Sequence, residues 1–330
     1  MKNKITVVIC LYNAEKFIVE TLDSLNAQIF HEFNLLILDD HSTDNSVELV
    51  KKYLSENEQL ESELICFDEN KGTAHLRGFA LEYVKTPLMM FFDADDVAKP
   101  KLIEFLQNKI YSDENIMAVS CYSKYIDIDS NQIVGGQFIG PTTEMDFIAR
   151  AKAGKLIFML PPTLFKRDLA IRAGGYRVKG FPEGGRRYQD LSEDLDLWSR
   201  MSDFYCDGKV MLTIPKELFF YRKLTSSLSA SKDSLVAMQD KIRFIKHNLK
   251  RRRREVKEID FVSYRASLTR KDKVGNYVKD MSAYHYREAG FLLVRRSYTR
   301  FIYHTLISVL LNPTYLLDKI KSNLIKERRS

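Results

Sequence analysis

Short apolar runs alternate with helix-period segments through the first hundred residues. Ile5 to Leu11 is β-branched and almost wholly apolar, the pattern of a strand buried on both faces. Asn13 stands where it can cap a helix, and Ile18, Leu22 and Leu25 recur behind it at helical spacing. Leu35 to Leu38 predicts a second buried strand that ends in Asp39-Asp40-His41-Ser42. Val47, Val50 and Leu54 then share one side of a helix. Glu63 to Phe67, Thr73 to Val84 and Leu88 to Phe92 follow as strand, helix and strand. Four strands alternating with helices predict βαβ units and a parallel sheet. Ligands of such sheets bind beyond the carboxyl ends of the strands. There the chain puts Tyr12-Asn13, Asp39-Asp40 and Asp93-Ala94-Asp95-Asp96.

A helix is expected after Pro100 and a strand from Met117 to Ile126. Residues 127–191 read as irregular, with paired glycines and prolines. Ser192 is placed to cap a helix through Leu195, Trp198 and Met201. From residue 235 the pattern is helical, rich in Lys, Arg and Tyr and nearly free of Gly and Pro. This predicts an α/β domain over 1–230 and a basic helical region over 231–330.

Charge sharpens that division. Residues 231–330 hold 24 Lys and Arg against 10 Asp and Glu, net +14, whereas residues 1–230 hold 27 against 34, net −7. A basic region on an acidic body predicts contact with a polyanion, with anionic lipid headgroups ahead of nucleic acid. Arg295-Arg296-Ser297-Tyr298-Thr299-Arg300 leads into Phe301, Ile302, Leu306, Ile307, Leu310 and Leu311, the pattern of an interfacial helix. The competing expectation is a core helix, or a contact in a homodimer. Arg251 to Arg254 reads as a solvated face or a second polyanion contact. Phe301 to Leu311 is too short to span a bilayer. The N-terminus has no signal-peptide pattern, so the expected location is cytoplasmic, peripheral at the inner face of the cytoplasmic membrane. The four cysteines are scattered and predict small buried residues rather than disulfides or a zinc site.

Three carboxylates in the run Asp93-Ala94-Asp95-Asp96 repel one another unless a cation compensates, and hard oxygen donors suit Mn2+ or Mg2+. Asp40 is a candidate acceptor for a base N–H, while Ser42 and Asp44 also suit helix capping. Gly72 permits a tight turn, and Arg77, one turn into the next helix, is a candidate for a diphosphate. Ser192-Glu193-Asp194 offers either dipole stabilisation of a helix start or a carboxylate base at a pocket edge, with Arg200 on the same helix. G-x-G-x-x-G, Walker A and G-x-S-x-G sequences are absent. A metal-dependent nucleotidyltransferase and a non-catalytic polyanion-binding protein remain as alternatives.

In this order, the segments resemble those of family 2 inverting glycosyltransferases of the bacterial cell-surface polysaccharide type. Val7 to Asn13 resembles the family's opening strand, and Leu36 to Asp44 its uracil-binding segment. Asn70-Lys71-Gly72 with Arg77 is similar to its Asn-x-Gly and Arg, and Asp93-Ala94-Asp95-Asp96 to its metal-binding D-x-D. Glu193-Asp194 with Arg200 resembles the late catalytic acidic pair. The resemblance implies a GT-A fold: a Rossmann-like, mostly parallel sheet flanked by helices. It implies a nucleotide-sugar donor, most simply UDP-linked, and a glycan or lipid-linked acceptor. Cys10, Tyr12, Asn13, Asp40, Arg77, Asp93 and Glu193 would bind the donor. Asp95 and Asp96 would hold Mn2+ or Mg2+, and Asp194 would be the catalytic base. Where relatives carry Pro-Thr this chain has Cys10-Leu11. Where many carry a His after Tyr-Arg, Tyr221-Arg222 is followed here by Lys223-Leu224.

Overall fold

The strand that opens the chain lies inside the sheet rather than at its edge. The computed structural model describes residues 4–127, 132–223, 231–294 and 296–314. In it, β1 (Ile5–Leu11) runs parallel to both β2 (Phe33–Asp39) and β4 (Leu88–Asp93), and β3 (Ser62–Cys66) is added outside β2. The helices α1 (Ile18–Asn26), α2 (Ser46–Glu56) and α3 (Thr73–Tyr83) make the crossovers. Val7, Val8, Ile9 and Leu11 are fully buried, as are Ile37 and Leu38 beside them. That is why these strands read as continuous apolar runs.

The full strand order is β3-β2-β1-β4-β8-β6-β9-β5, with β7 paired to β6. Here β5 is Val97–Ala98, β6 Ile116–Asp127, β7 Ile133–Gln137, β8 Leu164–Lys166 and β9 Val210–Lys223. The chain crosses from one side of β1 to the other between β3 and β4, creating the switch point where α/β sheets open a crevice. Register then decides what lines the crevice. Leu11 sits opposite Asp39, and Cys10 opposite Asp93.

The fold is α/β, but its sheet is mixed rather than mostly parallel. β8 is antiparallel to β4 and β6, and β5 is antiparallel to β9. Residues 132–191 also hold more regular structure than expected. They contain β7, β8, α5 (Glu144–Lys152) and α6 (Arg167–Arg172). These elements are short, and their apolar positions complete no period. α5 buries only Phe147 and Ala151, and its start is fixed by Thr143 Oγ1, which accepts the Asp146 N–H at 3.2 Å. β9 was masked in sequence by Pro215; its pairing with β6 skips register there, from Ile214 to Glu217. Two expected caps are not made. α1 starts at Ile18, well after Asn13. Ser192, preceding α7 (Glu193–Met201), is left-handed at φ 52° and makes no side-chain capping bond.

The chain divides into two compact units: Met1–Leu224 with Ile245–Glu258, and Thr225–Phe244 with Ile259–Ser330. The helices α8 (Lys232–Arg252), α9 (Phe261–Ser267), α10 (Arg270–Val294) and α11 (Tyr298–Leu311) follow the sheet. The arginine run is not a plain solvated face. Within the first unit, Arg252 and Arg253 both pair with Asp203, and Arg252 also pairs with Glu258. Among the cysteines, Cys121 is buried and Cys10 half-buried, but Cys66 and Cys206 are exposed rather than core residues. Arg295 and residues 224–230, which include Ser226-Ser227, lie outside the described residues.

Candidate active site

At the β1–β2 end of the crevice, two loops are laced together. Asn13 is left-handed at φ 48°; its N–H donates to Ser42 Oγ at 3.0 Å and its Oδ1 accepts the Thr43 N–H at 2.8 Å. Ala14 donates to Ser46 Oγ and Glu15 to Asp44 Oδ2. Ser42 does not cap α2, whose N-cap is Asn45, and only Asp44 reaches its start by accepting the Ser46 N–H at 3.0 Å; both residues fix the loop that carries Tyr12, which stands 50% exposed. Asp40 is buried, and its two oxygens accept the backbone N–H groups of Lys71 at 2.7 Å and Gly72 at 2.9 Å. A carboxylate has about four acceptor sites, so capacity for a base N–H remains.

Sequence reasoning missed the partners on the far side of this pocket. Asp190 Oδ1 accepts the Ala74 N–H at 2.9 Å, at the start of α3. Gly72, at φ +90°, is required there, because a Cβ would lie 2.2 Å from Asp190 Oδ2. Arg187 donates to the Asn70 carbonyl oxygen at 2.6 Å. The available signal was a polar run between Gly184-Gly185 and Glu193, too generic to single out either residue.

At the end of β4 the three acids separate. Asp93 remains partly exposed, with Asp95 half-buried. Burial, reinforced by the Asp93 charge, raises the Asp95 carboxyl to about 6. Asp96 is 1% exposed, and its Oδ1 accepts the Arg222 N–H at 3.0 Å. Burial and the neighbouring acids hold its carboxyl well above the usual carboxylate range. Arg222 also donates to the Asp95 carbonyl oxygen at 2.8 Å and pairs with Glu20 at 2.7 Å. The side chain of Asp96 is therefore engaged with β9, and Asp95 is the freer of the pair.

Arg77 is placed differently from the sequence expectation. It is 6% exposed, pairs with Asp93 at 3.3 Å and with Glu193 at 3.0 Å, and packs over the Phe91 ring. A guanidinium so enclosed ties the end of β4 to the start of α7. Burial pushes the Glu193 carboxyl up to about 7, with Arg77 partly opposing. Asp194 is half-buried, and its Oδ1 accepts the Leu195 N–H at 2.6 Å. Burial raises its carboxyl above the ordinary value, again partly opposed by Arg77. Asp194 lines a cavity of about 10 Å³ with Arg77, Phe91, Tyr176 and Trp198, three of them aromatics that spacing alone did not connect to it. Arg200 lies elsewhere, donating to the Ala173 and Gly175 carbonyl oxygens and pairing with Asp196. The Cys10 thiol is pushed up to about 12 by burial, so it offers no thiolate.

A divalent cation suits the donor set at the β4 end. No group of three His, Cys, Asp or Glu residues is gathered into a metal cage among the described residues. Asp93 and Asp95 supply hard oxygens whose mutual repulsion a cation would relieve. An ion with so few protein ligands takes the rest from water and substrate phosphates.

The family model for Glycosyl transferase family 2 matches residues 6–168, from β1 through β8 into α6. The chain carries a family 2 glycosyltransferase domain. The chain is 30% identical over 207 residues to a teichoic acid poly(glycerol phosphate) polymerase of Staphylococcus epidermidis; the match covers 61% of the chain and 27% of that polymerase. It is 24% identical over 244 residues to glycosyltransferase GlyG of Streptococcus pneumoniae, covering 73% of the chain and 77% of GlyG. Its fold is shared with S. aureus TarS residues 1–349, solved with UDP-GlcNAc, at TM-score 0.54 and 16% identity, over 96% of this chain and 92% of that one.

Proposed function

We propose that this glycosyltransferase moves a sugar from a UDP-linked donor to a hydroxyl of a glycan or lipid-linked acceptor in cell-surface polysaccharide synthesis, with inversion and with Mn2+ or Mg2+. The observation that carries the reading is the Arg77 bridge. It brings the acids that end β4 next to the acidic pair that starts α7. Donor-side and base-side carboxylates thereby share one crevice. The staphylococcal relative's name supports the polysaccharide setting, and the uracil-segment resemblance supports UDP.

Tyr12 would flank the base, with Asn13 and Cys10 shaping that wall, and Asp40 would accept from the base N–H. Asp93 and Asp95 would hold the metal and ribose end of the donor, while Asp96 keeps β9 and Arg222 in place beneath them. When bound, the cation supplies charge stabilisation to the departing diphosphate. Asp194 takes the proton of the acceptor hydroxyl as that oxygen attacks the anomeric carbon from the face opposite the diphosphate. The attack closes the new glycosidic bond and releases UDP with inversion. The raised carboxyl of Asp194 makes it a stronger base than a solvated carboxylate. Glu193 and Arg77 act behind it, neutralising each other while they hold α7 against β4.

Calorimetric titration with UDP, GDP and dTDP, each with Mn2+ and with EDTA, tests the donor assignment. UDP should bind best, and markedly more tightly with Mn2+ than with EDTA. Equal binding of the three, or metal-independent binding, overturns it. A nucleotidyltransferase would instead release diphosphate from a nucleoside triphosphate.

A further inference from the structure

α11 carries an outer face that no part of the described chain covers. Tyr298, Ile302, Tyr303, Leu306 and Leu310 are all exposed, Leu310 to 83%. At about 100° per residue these five side chains fall within an arc of about 140°. The opposite side is occupied. Ser308 is buried against α10, where its hydroxyl donates to the Ser282 carbonyl oxygen at 2.9 Å, and His304 meets His285 at 3.0 Å. The helix contains no Asp or Glu, and Arg296 and Arg300 stand exposed at its amino end. An exposed apolar patch of this continuity marks a contact site.

We propose that the outer face of α11 docks on the surface of an anionic lipid bilayer. Three features favour a bilayer over a second copy of the chain. The second unit, Thr225–Phe244 with Ile259–Ser330, carries 17 Lys and Arg against 8 Asp and Glu, net +9. Two such units repel, whereas a leaflet of phosphate headgroups attracts one. Tyr298 and Tyr303 each join an apolar ring to a polar hydroxyl, the character that settles at a water–lipid boundary. The apolar side chains lie along a single helix flank rather than around a pocket, so they can enter the acyl boundary together. No helix among the described residues is long and apolar enough to cross a membrane, so contact here is in the plane of the surface.

The inference stands on the helix itself and not on the sugar-transfer reading. Full-length protein is sedimented with vesicles of equal parts phosphatidylglycerol and phosphatidylcholine, and with pure phosphatidylcholine. It should pellet with the anionic vesicles, stay in solution with the neutral ones, and be released by high salt. The triple variant Ile302→Ser, Leu306→Ser, Leu310→Ser should keep its circular dichroism spectrum and melting temperature but bind about tenfold more weakly or less. Arg296→Gln with Arg300→Gln should reduce binding less and weaken its salt dependence. Equal pelleting of the intact protein and the triple variant overturns the proposal, as does failure of the intact protein to pellet. If the triple variant fails to fold, Leu310→Ser alone is compared in its place. A dimer seen by sedimentation velocity and abolished by the same substitutions, without vesicle binding, reassigns the face to a second copy.

Discussion

α7 and α11 invert each other. α7 has three acids in nine residues, yet eight of the nine are buried, Glu193, Asp196 and Arg200 among them. α11 has fourteen residues and no acid, yet only Ser308 is buried. Polarity alone would place α7 outside and α11 inside. The difference lies in partners. Each buried acid of α7 meets a cation: Glu193 meets Arg77, and Asp196 meets Arg177 and Arg200. Buried charge is tolerated where it is paired and hydrogen-bonded. α11 packs on α10, and its outer side chains Tyr298, Ile302, Tyr303, Leu306 and Leu310 stay exposed among the described residues. One helix is fixed from inside by charge; the other presents apolar surface outward.

The sharpest way to break this comparison is to remove the cation that lets α7 be buried. Arg77→Met leaves Glu193 without its partner and should lower stability by about 3–5 kcal/mol, read by thermal or urea unfolding. Adding Glu193→Gln should recover part of that loss. An unchanged melting temperature for Arg77→Met would show that the bridge does not hold the helix.

Asp194→Asn keeps the shape of the side chain while removing its basic carboxylate. It should fold and bind donor normally but lose transfer by about 10²-fold or more, measured by product formation at saturating donor. Full activity would remove Asp194 from the chemistry and reduce α7 to scaffolding.

Metal removal comes next. Asp95→Ala should bind UDP equally in Mn2+ and EDTA, and the unaltered protein should bind it markedly better in Mn2+. If titration shows Mn2+ still improving the variant's affinity, Asp95 is not the ligand.

pH sharpens the point more gently. Burial raises the Asp194 carboxyl above the ordinary 3.8. A base acts deprotonated, so transfer is complete above the raised value and falls as pH drops through it, by about tenfold per unit. The acid limb of kcat/KM should therefore lie above the ordinary carboxylate range. A limb at or below that range would mean that a solvated group is the base.

The smallest effect belongs to α11. Ile302→Ser and Leu306→Ser, both exposed, should each change stability by no more than about 0.5 kcal/mol in chemical unfolding. A loss typical of core positions would show that this face is covered in the folded protein.

Particular residues show where sequence sufficed. The apolar runs of β1, β2 and β4 were legible because strands covered on both faces need unbroken apolar character, and Asp40, Asp93 and Asp95 were legible because they interrupt such runs at the ends. β8 and β9 were not, one being three residues long and the other containing Pro215. Asp190 and Arg187 were not, because their partners, Ala74 and Asn70, lie more than a hundred residues away. Asp95 and Asp96 looked equivalent in sequence; burial of Asp96 against the backbone of Arg222 distinguishes them.

The sequence by itself determined the alternation of strands and helices, the acids at the strand ends and the division between an acidic body and a basic helical region. These follow from local periodicity and composition, which need no neighbour to be read. Tertiary structure decided what each charge does. It turned Arg77 from a diphosphate candidate into a buried bridge, gave Asp96 to β9, raised Asp194 by enclosing it, and left one face of α11 exposed among the described residues. Ionisation and exposure depend on which distant segments arrive alongside, and only the folded chain brings them there.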